Sequence, residues 1–275
     1  MSRFPLAVCV ISAMLATTIT AVFGSDIQTG FLDRTLTLNG NKFRYQVFLP
    51  ASWSRKSKWP VILFLHGAGE RGEDGLLQTE VGIGRAIRRA VERFRCIVVL
   101  PQCSKNRWWT EPDMESVALE ALEASIKEFN GDRSRIYLTG LSMGGYGTWS
   151  IARKHPGEFA ALVVICGGIA PPPGLRLDPA ITAGVADNAY AETARKIGST
   201  PVWVFHGDAD PSVPVDESRR MVEALKATGG KVKYTEYPGV GHNSWDAAYG
   251  DSELMTWLLA QTLPNADIER SKHER

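Results

Sequence analysis

The chain carries almost no net charge: 31 Lys and Arg stand against 30 Asp and Glu, a formal +1. Nucleic acids and membrane surfaces are held by clustered positive charge, so this balance gives no electrostatic case for either partner. The one basic cluster, Arg85, Arg88, Arg89, Arg93 and Arg95, reads as a solvated helix face. Cysteine is also scarce. Cys9, Cys96, Cys103 and Cys166 show none of the paired spacing that a zinc site needs, so no metal is expected. Cys96 and Cys103 fall at opposite ends of one predicted strand, too far apart to bridge. Cys103 and Cys166 both follow strands at one end of the expected sheet and could approach; buried free thiols are the alternative. Beyond the first residues no apolar run could span a bilayer, and there are no repeats, low-complexity tracts or dividing linkers. With 275 residues and 44% hydrophobic side chains, one large domain is expected.

The N-terminus differs from the rest. Arg3 precedes an apolar stretch from Leu6 to Phe23 without a charged residue, and Gly24 precedes the polar Ser25-Asp26. This is the pattern of a secretory signal peptide over residues 1–24, with a retained anchor as the other reading. The expected mature chain, 25–275, is a single domain, secreted or periplasmic, without stable membrane association.

Its elements alternate. Thr35–Leu38 and Phe43–Pro50 flank Asn39-Gly40-Asn41, a hairpin with the φ > 0 turn that Asn-Gly supplies. Continuous apolar strands follow at Val61–Leu65, Ile97–Leu100, Ile136–Leu138, Ala160–Ile165 and Val202–Phe205, with a further strand at Val232–Tyr237. Helices are expected at Val81–Phe94, Met114–Phe129, after Ser142, at Ala189–Ile197, Asp216–Thr228 and Glu253–Thr262. An irregular insertion opens at Pro171-Pro172-Pro173-Gly174 and runs to about Asn188, and the tail from Asn265 is polar. Strands alternating with helices after an antiparallel hairpin predict an α/β fold with a mostly parallel, doubly wound sheet.

The chemistry starts at Gly140-Leu141-Ser142-Met143-Gly144. Between a strand and a helix, G-x-S-x-G forms a sharp turn that lifts a serine hydroxyl clear of the sheet and sets the next N–H at a helix N-terminus. A serine needs a base, and the base an orienting carboxylate, each in a loop after a later strand. Asp208 and Asp210 follow Val202–Phe205; Asp210, farther out and stiffened by Pro211, is preferred as the carboxylate. His242 follows Val232–Tyr237 and alone among the five histidines has the required order and position. A second oxyanion donor is expected from His66-Gly67-Ala68-Gly69-Glu70-Arg71-Gly72, with the Ala68 N–H joining that of Met143. His66 is expected to tie that loop, and Glu70 and Arg71 to shape it as a local ion pair or to touch substrate. Trp108, Trp109 and Trp245 are candidate substrate-binding aromatics, or packing.

With Pro101-Gln102-Cys103, these segments resemble the α/β-hydrolase superfamily from about Thr35 to Leu263. Within it they are similar to a secreted bacterial esterase and predicted-peptidase group related to phospholipase/carboxylesterases, polyhydroxybutyrate depolymerases and feruloyl or acetyl-xylan esterases. The resemblance implies Ser142 as nucleophile, Asp210 as acid, His242 as base, the Ala68 and Met143 amides as oxyanion hole, and no cofactor. The function expected is a serine carboxylesterase acting on small or polysaccharide-linked esters through an acyl-enzyme. A serine peptidase on the same triad and a non-catalytic binding protein are the alternatives.

Overall fold

The computed structural model describes residues 28–170 and 189–263. The expected signal peptide, the insertion over 171–188 and the tail from Asn265 lie outside the described residues.

Eight strands form one sheet in the order β1-β2-β4-β3-β5-β6-β7-β8. They are β1 (Gly30–Leu38), β2 (Asn41–Leu49), β3 (Trp59–Leu65), β4 (Ile97–Pro101), β5 (Gly131–Leu141), β6 (Ala161–Ile165), β7 (Val202–Gly207) and β8 (Val232–Tyr237). β1, β2 and β4 pair antiparallel; all pairs from β4 to β8 are parallel. The β1–β2 turn has Asn39 at φ 50° and Gly40 at φ 80°, the two left-handed residues of a type I′ turn.

The helices are α1 (Gly82–Arg89), α2 (Pro112–Phe129), α3 (Met143–Lys154), α4 (Ala189–Ile197), α5 (Asp216–Ala227), α6 (Trp245–Gly250) and α7 (Leu254–Leu259). The pleat divides the apolar strands between two layers. Val61, Leu63 and Leu65 of β3 pack with α2, α3, α4 and α5; Ile62 and Phe64 pack with α1, α6 and α7. Both faces are thus covered, which is why these strands read as unbroken hydrophobic runs.

Two helices differ from expectation. The helix expected over Val81–Phe94 stops at Arg89, and a 3₁₀ turn, Val91–Arg93, brings the buried Phe94 under the sheet ahead of β4. The Arg93 guanidinium fixes that turn by donating to the Tyr249, Gly250 and Asp251 carbonyls, at the end of α6. The expected solvated arginine face is therefore partly anchored: Arg88 also donates to Thr79 and lies over the Phe31 ring. The other difference is α6 itself, six residues long and too short to carry a period.

Candidate active site

Ser142 is the cap of α3 and sits directly after β5, with φ 52° and ψ −119°. Few L-residues adopt that conformation, so the turn is held by its surroundings. The Ser142 N–H donates to Ile165 O at 2.9 Å, and the Ser142 carbonyl accepts the Gly145 and Tyr146 amides at 2.8 and 3.1 Å. The motif's glycines have a packing reason. A Cβ at Gly144 would overlap the Leu65 carbonyl, and one at Gly140 the Gly144 carbonyl. The helix can reach the sheet here only without side chains.

His242 lies in the loop after β8. Its Nε2 is 2.9 Å from Ser142 Oγ, and its Nδ1 is 2.7 Å from Asp210 Oδ2. With Nδ1–H donating to the carboxylate, Nε2 is left to accept the serine proton. The competition between the two aspartates is resolved by geometry: Asp208 Oδ1 instead accepts the Gly239 N–H at 2.6 Å and ties down the loop that carries His242.

The Asp210 side chain is fully buried. Burial alone would raise its pKa, but hydrogen bonds from His206, His242, Val213 and Ser212 outweigh it and hold the carboxyl well below the usual range. Oδ1 accepts the Ser212 and Val213 amides at 2.8 and 3.0 Å, and Oδ2 accepts both imidazoles. His206 is thus a second imidazole on this carboxylate. Its Nε2 donates to Asp210 Oδ2 at 3.2 Å and Val213 O at 3.1 Å, while Nδ1 accepts the Ser218 hydroxyl at 2.7 Å. Sequence shows only a histidine ending a strand; this role depends on Ser218 and Asp210 folding back onto it.

Ala68 begins the 3₁₀ turn Ala68–Glu70, and Met143 begins α3. Both N–H groups therefore fall in first helical turns, where no intrahelical acceptor exists. Gly67 brings that turn against the serine: a Cβ built there would lie 3.7 Å from Ser142 Cβ. Gln102 straps the loop to β4, its amide donating to Glu70 O at 3.0 Å and accepting the Gly75 N–H at 2.7 Å. His66 is fully buried; its Nε2 accepts the Cys103 N–H at 2.9 Å and Nδ1 donates to Gly67 O at 2.6 Å. Arg71 donates to Ala68 O at 2.9 Å and pairs with no carboxylate among the described residues, so the local Glu70–Arg71 ion pair is not formed.

Burial lowers the His66 pKa to about 4. The unfolded chain takes up a proton near pH 6.5 that the folded chain refuses until about pH 4, so acid favours unfolding. Stability should be fully present above pH 6.5 and fall by about 3 kcal/mol toward pH 4 from this group. Urea unfolding between pH 7 and 4.5 checks it, and a flat profile contradicts it.

The aromatics separate. Trp109 is fully buried, donates to His66 O at 3.0 Å and stands edge-on to the His66 ring. A Cβ at Gly147 would strike it. It packs under the loop with no exposed surface, which favours the packing alternative for this residue. Trp108 is half-buried and edge-on to Tyr146 at 6.3 Å; Trp245 is half-buried and edge-on to His242 at 5.3 Å. Trp245 therefore stands beside His242, and Trp108 leans on the serine's helix through Tyr146.

Cys96, Cys103 and Cys166 are buried free thiols, so the Cys103–Cys166 bridge left open by sequence is not made. Cys166 Sγ, an Asp210 oxygen and a His242 nitrogen lie within 4.8 Å of one another. The donors do not suit a metal: Asp210 and His242 already satisfy each other, and burial pushes the thiol up to about 12.

Ile169, Ala170 and Tyr190 share one carboxylate. Glu217 of α5 accepts the Ile169 and Ala170 amides at 2.8 and 3.1 Å and the Tyr190 hydroxyl at 2.7 Å.

The sequence profile of the Dienelactone hydrolase family matches residues 101–249, more than half of the chain. A probable feruloyl esterase C of Aspergillus flavus is 24% identical over 240 residues, covering 84% of this chain and 80% of that protein. An uncharacterized secreted protein of Arthroderma benhamiae is 24% identical over 235 residues, covering 76% of this chain and 24% of that protein. Among solved structures, a thermostable esterase superposes with a TM-score of 0.71 at 34% identity, over 84% of this chain and 63% of that one. The chain spans less than a third of the length of several curated relatives it matches. With its mostly parallel eight-stranded sheet and this profile match, the chain belongs to the dienelactone hydrolase family of the α/β-hydrolase superfamily.

Proposed function

We propose that this chain is a secreted serine carboxylic-ester hydrolase. The observation that carries the reading is the hydrogen-bonded series Ser142 Oγ, His242, Asp210, at 2.9 and 2.7 Å, at the carboxyl ends of β5, β8 and β7. His242 Nε2 takes the serine proton as Oγ attacks the ester carbonyl carbon. The Ala68 and Met143 amides receive the oxyanion. The tetrahedral adduct collapses to an acyl-enzyme, and His242 returns the proton to the departing alcohol. Water repeats the path, activated by the same imidazole, and frees the acid. Asp210 holds the ring in its Nδ1–H form and stabilises the imidazolium.

Feruloyl, acetyl or other small esters are the substrate class. Trp245 offers an aromatic surface beside the base and Trp108 one against Tyr146 of the serine's helix, and relatives named as feruloyl esterases agree with a phenolic acyl group. Secretion is supported by the N-terminal apolar stretch and the secreted relative. Among the described residues no helix is long and apolar enough to cross a membrane.

The test is hydrolysis of p-nitrophenyl acetate, butyrate and octanoate, methyl ferulate, acetylated xylan and a peptide amide, with Ser142→Ala beside each. Ester turnover that disappears in the variant is expected. Equal turnover by both proteins would remove Ser142 from the reaction, and peptide-only turnover would replace the esterase with a peptidase.

A further inference from the structure

A cleft of about 370 Å³ opens between the start of β2, the loop after β3 and the start of α2. Its volume falls in the range of small-molecule sites, about 300–1,000 Å³, but its walls are polar. They include Lys42, Arg44, Glu73, Arg107 and Asp113, with Phe43 giving one apolar surface.

Topology places the cleft on the reactive edge of the sheet. β2 runs antiparallel to β4 with Tyr45 opposite Pro101, so Lys42, Phe43 and Arg44 lie beyond the carboxyl end of β4. Ser142 stands at the carboxyl end of β5, and only β3 separates β4 from β5. Lys42 and Arg44 belong to β2, three strands from β5, so at ~4.8 Å per strand their lateral offset from the serine is roughly 14 Å. The loop between them carries Ala68 at one end and Gly72 and Glu73, which line the cleft, at the other. Gln102, also in the cleft wall, donates to Glu70 O in that loop. Arg107 lines the cleft, and its neighbour Trp108 leans on Tyr146 of the serine's helix.

The charges define the occupant. Arg107 is neutralised by Asp113 and Glu111. Lys42 and Arg44 have no ion-pair partner among the described residues and are exposed. They call for a negative group. Glu73 in the same cleft accepts hydrogen bonds, so it calls for hydroxyl donors and repels a doubly charged anion. Phe43 offers a face for C–H groups. A carboxylate on a polyhydroxylated ring meets all three requirements; a phosphate concentrates its charge on one centre beside Glu73 and has no C–H face for Phe43.

Resting on the esterase reading, we propose that this cleft binds an acidic sugar chain, the uronate-bearing part of an ester substrate whose acyl carbon is presented to Ser142. Lys42 and Arg44 face the carboxylate, Glu73 the hydroxyls, and the loop carrying Ala68 forms the wall shared with the reacting centre.

The experiment is calorimetric titration of the Ser142→Ala protein with trigalacturonate, neutral xylotriose and inorganic phosphate. Trigalacturonate should bind at least about tenfold more tightly than xylotriose, and raised salt should weaken it, since both cations are solvent-exposed. A Lys42→Glu/Arg44→Glu variant should lose about tenfold or more, while Lys42→Arg keeps binding. Lys42→Gln/Arg44→Gln, with thermal melts of every variant, gives the same reading should charge reversal disturb folding. Equal affinity for the two sugars, a preference for phosphate, no binding, or indifference to the variants would each overturn the proposal. Turnover of p-nitrophenyl acetate by the protein with Ser142 intact separates the two ideas. Turnover without sugar binding removes the cleft and leaves the esterase; sugar binding without turnover does the reverse.

Discussion

Ser142→Gly should fold more stably than the parent chain while hydrolysing esters at least about 10⁴-fold more slowly. Both effects come from one residue. At φ 52° and ψ −119°, a side chain at this position carries strain of about 1–3 kcal/mol. Glycine relieves it, and the added freedom of the unfolded chain returns about 0.5–1 kcal/mol, leaving a net gain on the order of 1 kcal/mol. The lost hydroxyl removes the attacking atom. Ser142→Ala separates the terms, because it deletes the hydroxyl and keeps the Cβ. It should lose as much activity with no gain in stability. Urea unfolding of the three proteins and their turnover of p-nitrophenyl butyrate read both quantities. A glycine variant no more stable than the alanine one would show that the elbow stores no strain.

Asp210→Asn should lower kcat by about 10³–10⁴-fold and cost about 2–3 kcal/mol of stability. One carboxylate oxygen receives N–H groups from His242 and His206, and the other receives the Ser212 and Val213 amides. An asparagine must turn its NH₂ toward one pair of donors or the other, so neither orientation fits. If NH₂ faces the imidazoles, His242 is driven to the tautomer with its proton on Nε2, where it cannot accept from Ser142. If NH₂ faces the backbone, the Ser212 and Val213 amides lose their acceptor. Steady-state kinetics with a melt of the same sample measures both losses. A variant with near-parental kcat would mean that Asp210 does not set the state of His242.

Much of this site was legible because its parts are bound to local patterns. The turn at Asn39-Gly40 needs two left-handed residues, and Gly140 and Gly144 stand where a Cβ would strike a carbonyl. Ser142, Asp210 and His242 each follow an apolar strand, and parallel strands deliver their carboxyl ends to one edge. What escaped depends on contacts across the sequence. His206 and Asp208 look alike in sequence as polar residues ending β7, yet one braces the carboxylate and the other ties the base's loop. Trp108 and Trp109 are adjacent, but only Trp109 fits the space left by Gly147. The end of α1 at Arg89 answers to carbonyls near Asp251 that no local window contains.

The Glu217 clasp has an evolutionary side. By gathering the Ile169 and Ala170 amides and the Tyr190 hydroxyl onto one carboxylate, it brings both borders of residues 171–188 to a fixed place. Closing a longer or shorter segment between fixed ends changes the free energy little, about 0.6 kcal/mol per doubling of length. Ser142, Asp210 and His242 stand in other loops, after β5, β7 and β8. Lineages can therefore rewrite this stretch, trading its length and composition, while the reacting atoms keep their places. Chimeras that exchange residues 171–188 between relatives should keep the Ser142–His242–Asp210 hydrogen bonds intact.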